Sequence, residues 1–133
     1  MRILIADDSL FVRTCLRKIV EEAGHEVVGE AENGRMAVNL YNETRPDIVT
    51  MDITMPETSG LEAVKIIKER HPSARIVMVS AMGLDPVIKE AFAHGARGFI
   101  TKPFVPERVI QELEAVTRYE ENRKRKRIEK GMP

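Results

Sequence analysis

Five times along this chain, a short run rich in Ile and Val is followed by a longer segment whose apolar residues recur at helical spacing. The first unit joins Ile3-Leu4-Ile5-Ala6 to residues 10–23, where Phe11, Leu16, Ile19 and Val20 mark the apolar positions. Ser9 offers a side-chain acceptor to the free N–H groups at that helix start, and Gly24 tolerates the left-handed conformation that commonly ends a helix. The same reading predicts strands over 26–31, 47–52, 75–80 and 98–101, and helices over 35–43, 60–70, 86–94 and 106–119. The strand at 75–80 is apolar on successive residues, Ile76-Val77-Met78-Val79, which requires cover on both faces of its sheet. The expected architecture is α/β: an open, doubly wound, five-stranded parallel sheet with helices on both faces. With 133 residues, the chain has room for one such domain and no second.

In an open sheet of this kind, ligands bind beyond the carboxyl ends of the strands, where the strand order reverses. The residues expected there are Asp7-Asp8 after the first strand, Asp52 closing the third, Ser80 closing the fourth and Lys102-Pro103 after the fifth. Taken singly, each has a local explanation as a helix cap, a turn residue or a surface charge. Taken together, three carboxylates at one sheet edge repel one another unless a cation or a raised pKa relieves them, and a hard divalent ion with oxygen ligands does so. Magnesium suits Asp8, Asp52 and a backbone carbonyl near Thr54, with Asp7 acting through water. With the metal and Lys102 neutralising the oxygens of an incoming phosphoryl group, Asp52 is the best-placed nucleophile, and Ser80 can donate a hydrogen bond to the transferred group.

These residues, with Met51-Asp52-Ile53-Thr54-Met55-Pro56-Glu57-Thr58-Ser59-Gly60, Ser80-Ala81-Met82-Gly83 and Phe99-Ile100-Thr101-Lys102-Pro103-Phe104, resemble the response-regulator receiver family. The likeness runs from Arg2 to about Thr117, with every motif in the family's order, and is nearest to the family's chemotaxis regulators. It implies a flavodoxin-like (βα)5 fold in a phosphorelay signalling protein. It further implies that Asp52 takes a phosphoryl group from a sensor histidine kinase, and that Asp7, Asp8, Asp52 and the Thr54 carbonyl hold Mg2+. Lys102 would then pair with the acyl phosphate. Ser80 and Phe99 would form the switch pair, altering the face made by the fourth helix, fifth strand and fifth helix. The output would be phosphorylation-dependent binding to an effector such as a flagellar switch component, without turnover of an external substrate. Two positions depart from many chemotaxis members. Phe99 lacks a phenolic hydroxyl, and Met82 stands where a polar residue in some relatives orients the attacking water, which implies a long-lived phosphoaspartate.

Lys plus Arg and Asp plus Glu both total 21, so the overall charge gives no argument for nucleic acid. The balance is uneven: residues 1–117 hold 14 basic and 18 acidic side chains, whereas 118–133 hold 7 basic and 3 acidic. A receiver domain over 1–119 and a basic extension over 120–133 are expected. The run Arg123-Lys124-Arg125-Lys126-Arg127 reads as a solvated helical extension; binding to nucleic acid or an acidic membrane, for which the lack of interleaved aromatics leaves only a weak signal, and a linker to an output domain are the alternatives. The lone Cys15 excludes an internal disulfide and is expected to be a buried small hydrophobe in a reducing cytoplasm. The N-terminal apolar run is too short for a signal peptide, and nothing approaches the ~20 apolar residues that span a bilayer, so no membrane insertion is expected. His25, His71 and His94 are too scattered for a metal site or catalytic dyad. No glycine-rich nucleotide loop is present. Two rival readings stay open: the receiver part of a DNA-binding regulator, excluded if the gene ends at Pro133, and a magnesium-dependent aspartyl-phosphate phosphohydrolase.

Overall fold

The computed structural model describes residues 1–81 and 86–131, and of residues 119–124 the backbone alone. Met82 and Gly83, and the side chains of Arg123 and Lys124, lie outside the described residues. The elements follow in strict alternation: β1 (Arg2–Ala6), α1 (Leu10–Glu22), β2 (Glu26–Ala31), α2 (Gly34–Thr44), β3 (Ile48–Asp52), α3 (Gly60–Arg70), β4 (Ile76–Ser80), α4 (Pro86–Ala93), β5 (Gly98–Thr101) and α5 (Pro106–Glu129). All five strands are parallel, in the order β2-β1-β3-β4-β5. The order reverses between β1 and β3, so a crevice opens beyond the carboxyl ends of those two strands.

The period of two along each strand divides the core. In β1, Ile3 and Ile5 join Leu16, Val20, Val109 and Leu113 on the face covered by α1 and α5. Leu4 and Ala6 turn to the opposite face, where Ala37, Val64, Ile67 and Ala91 of α2, α3 and α4 pack. Because both faces are covered, β3 and β4 are buried at every residue, as the unbroken apolar run in β4 implies.

The helices start where short polar side chains cap them. Ser9, Asn33 and Ser59 each accept from the backbone N–H three residues on. Gly24 adopts φ +90° after α1, as expected of a left-handed stop. Two expectations need correction. Phe11 is 77% exposed, and it is Val12 that packs with Leu16, Ile19 and Val20. Positions 11 and 12 are both apolar, and the helix's rotation against the sheet decides between them. Cys15 is half-buried for the same reason, one position off the inward stripe. Finally, the helix expected over 106–119 and the helical extension expected after it are one continuous helix, α5, which runs to Glu129. No glycine or proline interrupts it before Gly131, and its residues are good helix formers, so it outlasts the apolar stripe that packs it down. No helix among the described residues is long and apolar enough to cross a membrane.

Candidate functional site

Asp7 and Asp8 follow β1 and Asp52 closes β3, so the strand order brings all three to the crevice at the reversal point. One carboxylate oxygen from each lies within 4.8 Å of the others. Asp7 and Asp52 are buried and Asp8 is exposed, so the cluster opens to solvent on one side. Lys102, just past β5, reaches across β4 with its ammonium 2.9 Å from Asp7 Oδ2 and 3.4 Å from Asp52 Oδ1. Its backbone N–H donates to the Ser80 carbonyl at 2.7 Å, and the Lys102–Pro103 peptide is cis. Ser80 is buried one residue beyond Val79, the register partner of Asp52. Thr54 lies two residues past Asp52 in the β3–α3 loop and is exposed.

Phe99 stands apart from this cluster. It pairs in register with Met78, is half-buried, and packs against the core face formed by α2, α3 and α4. Its outer side lines a surface cleft of ≈ 220 Å³ with Phe104, Val105 and Arg108. Ser80 and Phe99 thus sit on adjacent strands, with Ser80 closing β4 and Phe99 in the neighbouring β5 beside the cleft.

Several backbone contacts fix the crevice. Gly60 donates to the Ile53 carbonyl at 2.9 Å, drawing the start of α3 onto the end of β3. A Cβ on Gly60 would lie 1.9 Å from the Asp52 carbonyl oxygen, so this approach admits only glycine. Asp7 donates its N–H to the Ala31 carbonyl, and its Oδ1 accepts from the Ser9 N–H, both at 2.9 Å. The Asp7 carbonyl accepts from Arg13 Nη1 at 2.7 Å. The sequence reading assigns no part to Arg13, because nothing in the local pattern shows that a helical arginine turns back on the loop before it.

The electrostatics follow from the burial. Asp52 is pushed up to about 6, first by burial and then by the neighbouring Asp7 charge, and Lys102 only partly offsets this. Burial opposes the charge on Lys102, but its contact with Asp7 and the Asp52 charge outweigh that and hold its pKa above the ordinary lysine value. Lys102 meets Asp7 Oδ2 as an ion pair at 2.9 Å, a single ammonium set against three clustered carboxylates. That imbalance leaves the cluster short of positive charge, and its all-oxygen donor set fits a hard divalent cation.

Residues 3–114 match the family model of the response regulator receiver domain. The chain belongs to that family. It is 51% identical to the chemotaxis protein CheY of Thermotoga maritima over 117 residues, which cover 88% of this chain and 98% of that protein. It is 40% identical over 118 residues to the transcriptional regulatory protein YdfI of Bacillus subtilis, covering 88% of this chain but 55% of that protein. Among solved structures, it resembles a chain of the CheX–CheY–BeF3–Mg+2 complex from Borrelia burgdorferi with a TM-score of 0.84 and 36% identity, over 87% of this chain and 88% of that one. The parallel five-stranded receiver fold read from the sequence is therefore the fold of its relatives. Receiver domains bind Mg2+ in the acidic pocket that Asp7, Asp8 and Asp52 form here.

Proposed function

We propose that this receiver domain is a response regulator of a two-component phosphorelay, of the chemotaxis type, phosphorylated on Asp52 by a sensor histidine kinase. One observation carries the reading: three carboxylates within 4.8 Å at the sheet's reversal point, with Lys102 touching the two buried ones. Asp7, Asp8, Asp52 and the Thr54 carbonyl would hold Mg2+. When bound, the ion supplies positive charge against the oxygens of a transferring phosphoryl group.

The remaining chemistry belongs to the chain. An Asp52 oxygen forms the new bond to phosphorus as the bond to the donor's imidazole nitrogen breaks, and the electron pair stays on that nitrogen. At neutral pH Asp52 is mostly ionised, yet burial makes it more basic than an exposed carboxylate, which favours attack. Lys102 pairs with the acquired negative charge, and Ser80 donates a hydrogen bond to a phosphoryl oxygen. A charge-assisted hydrogen bond of this kind contributes about 1.5–3 kcal/mol, enough to bias a two-state element that includes Phe99 and the face of α4, β5 and α5. Binding of an effector protein, such as a flagellar switch component, at that face is the output. The protein works in the cytoplasm with no turnover of an external substrate.

The test is intact-mass measurement after incubation with acetyl phosphate and Mg2+. Wild type gains one phosphoryl mass and Asp52→Ala gains none; a gain that survives the alanine change overturns the assignment. A second reading, the receiver part of a DNA-binding regulator, is favoured by the 40% identity to YdfI, a protein that extends well beyond the matched region. Capture of a partner protein only by the phosphorylated chain supports the first reading. Binding of duplex DNA by the full-length gene product supports the second.

A further inference from the structure

The loop that carries Asp7 and Asp8 is tied down from outside the acidic cluster. Arg13, in the first turn of α1, donates from Nη1 to the Asp7 carbonyl at 2.7 Å and from Nε to Glu30 Oε1 at 3.0 Å. Glu30 is the penultimate residue of β2, and its other oxygen accepts from Arg17 Nε, one turn further along α1, at 2.8 Å. The Arg13 side chain is only 11% exposed and Glu30 26%, so solvent competes weakly for this pair. The Asp7 N–H is held by the Ala31 carbonyl, adjacent to Glu30 in the chain. Asp7 is therefore gripped at both of its peptide groups by β2, once directly and once through Arg13.

The Asp7 carbonyl belongs to the peptide plane that carries the Asp8 N–H. Fixing that oxygen fixes the plane and with it the direction in which Asp8, the exposed member of the cluster, leaves the backbone. A planar guanidinium can serve the carbonyl and the carboxylate together, because its donors form a rigid fork. Glu30, with Glu21 taking up part of Arg17, balances the Arg13 charge that would otherwise repel a cation at the cluster. We infer that Arg13, oriented by Glu30, is a positioning residue that presets Asp8 for divalent-cation binding without acting as a counter-ion. This rests on the magnesium reading above and adds to it a residue whose role is geometric.

Isothermal titration of Mg2+ into wild type, Arg13→Lys, Arg13→Ala and Arg17→Ala tests it, with urea unfolding of each to match stabilities. Residues that orient metal ligands typically cost 10–100-fold in affinity when changed, so both Arg13 variants should bind Mg2+ at least about tenfold more weakly. Lysine keeps the charge but cannot reach both partners, so it should not rescue. Arg17→Ala also loses a Glu30 contact but leaves the Asp7 carbonyl held, and its affinity should stay within about threefold of wild type, well short of the positioning effect. The Asp8 amide resonance should move in both Arg13 variants and stay in place in Arg17→Ala. Wild-type affinity in Arg13→Lys, or equal losses in Arg13→Ala and Arg17→Ala, would overturn the positioning role while leaving the magnesium site intact. Failure of the wild type to bind Mg2+ would instead overturn the magnesium reading, and the inference with it.

Discussion

Asp52 is where burial and charge conflict most sharply. Its folded carboxyl titrates at about 6 against an ordinary 3.8, so between those values the folded state binds more protons than the unfolded chain. The stability this gives is fully present below about pH 4, declines as pH rises through about 6, and is gone at neutral pH. In chelator at pH 7, Asp52→Asn should therefore stabilise the protein, by up to about 3 kcal/mol from a shift of this size, and the gain should shrink toward pH 4. Urea titrations at both pH values check this, and a gain that grew on acidification would contradict it. A second residue in β3 is simpler. Thr50 is 1% exposed and its Oγ1 has no hydrogen-bond partner among the described residues. Thr50→Val keeps the shape and removes the orphaned hydroxyl, and should raise stability by about 1 kcal/mol. A loss of similar size would show that the hydroxyl is satisfied in solution.

Among the elements, α3 and α5 make opposite cases. The start of α3 is seated directly on the Asp52 carbonyl, and Gly60→Ala would force a Cβ into backbone that cannot yield. Overpacking of this kind costs about 1–3 kcal/mol, and since the strain falls on Asp52, phosphoryl uptake from acetyl phosphate should drop with it. Near-wild-type uptake would separate the seating of α3 from the chemistry. Among the described side chains of α5 the last buried one is Val116, while 125–131 are exposed throughout. Removing residues 120–133 should accordingly leave unfolding free energy within about 0.5 kcal/mol. A larger loss would mean that the extension packs on the body and is not a separate segment.

Across the whole molecule, the acidic cluster is a cost that a cation relieves. A ligand that binds only the folded state adds about 2.7 kcal/mol at a hundred times its Kd, so Mg2+ should raise the wild-type Tm and raise that of Asp8→Asn far less. Equal shifts would place the ion elsewhere. The receiver reading also separates uptake from output. Ser80→Ala should still be phosphorylated on Asp52 but should lose most of the phosphorylation-dependent gain in effector binding, seen by comparing binding isotherms with and without acetyl phosphate. The two behaviours can part because Ser80 is buried beside the cluster and Phe99 faces the cleft with Phe104 and Arg108, on adjoining strands.

Periodicity, caps and apolar runs are local, and from them the sequence alone determined the five strand-helix units, the parallel sheet covered on both faces, and the strand ends that carry Asp7, Asp8, Asp52, Ser80 and Lys102. The family motifs lie at those same ends, because a doubly wound sheet places its chemistry there whatever the loops contain. Tertiary structure decided what depends on how elements rotate and approach one another. It turned Val12 inward in place of Phe11 and left Cys15 at the edge of the packed stripe. It brought Lys102 across β4 to touch Asp7 and Asp52, and closed Arg13 onto Glu30, 17 residues away. No local pattern can signal such contacts, because each is fixed only when two distant elements dock and their side chains share one low-dielectric space.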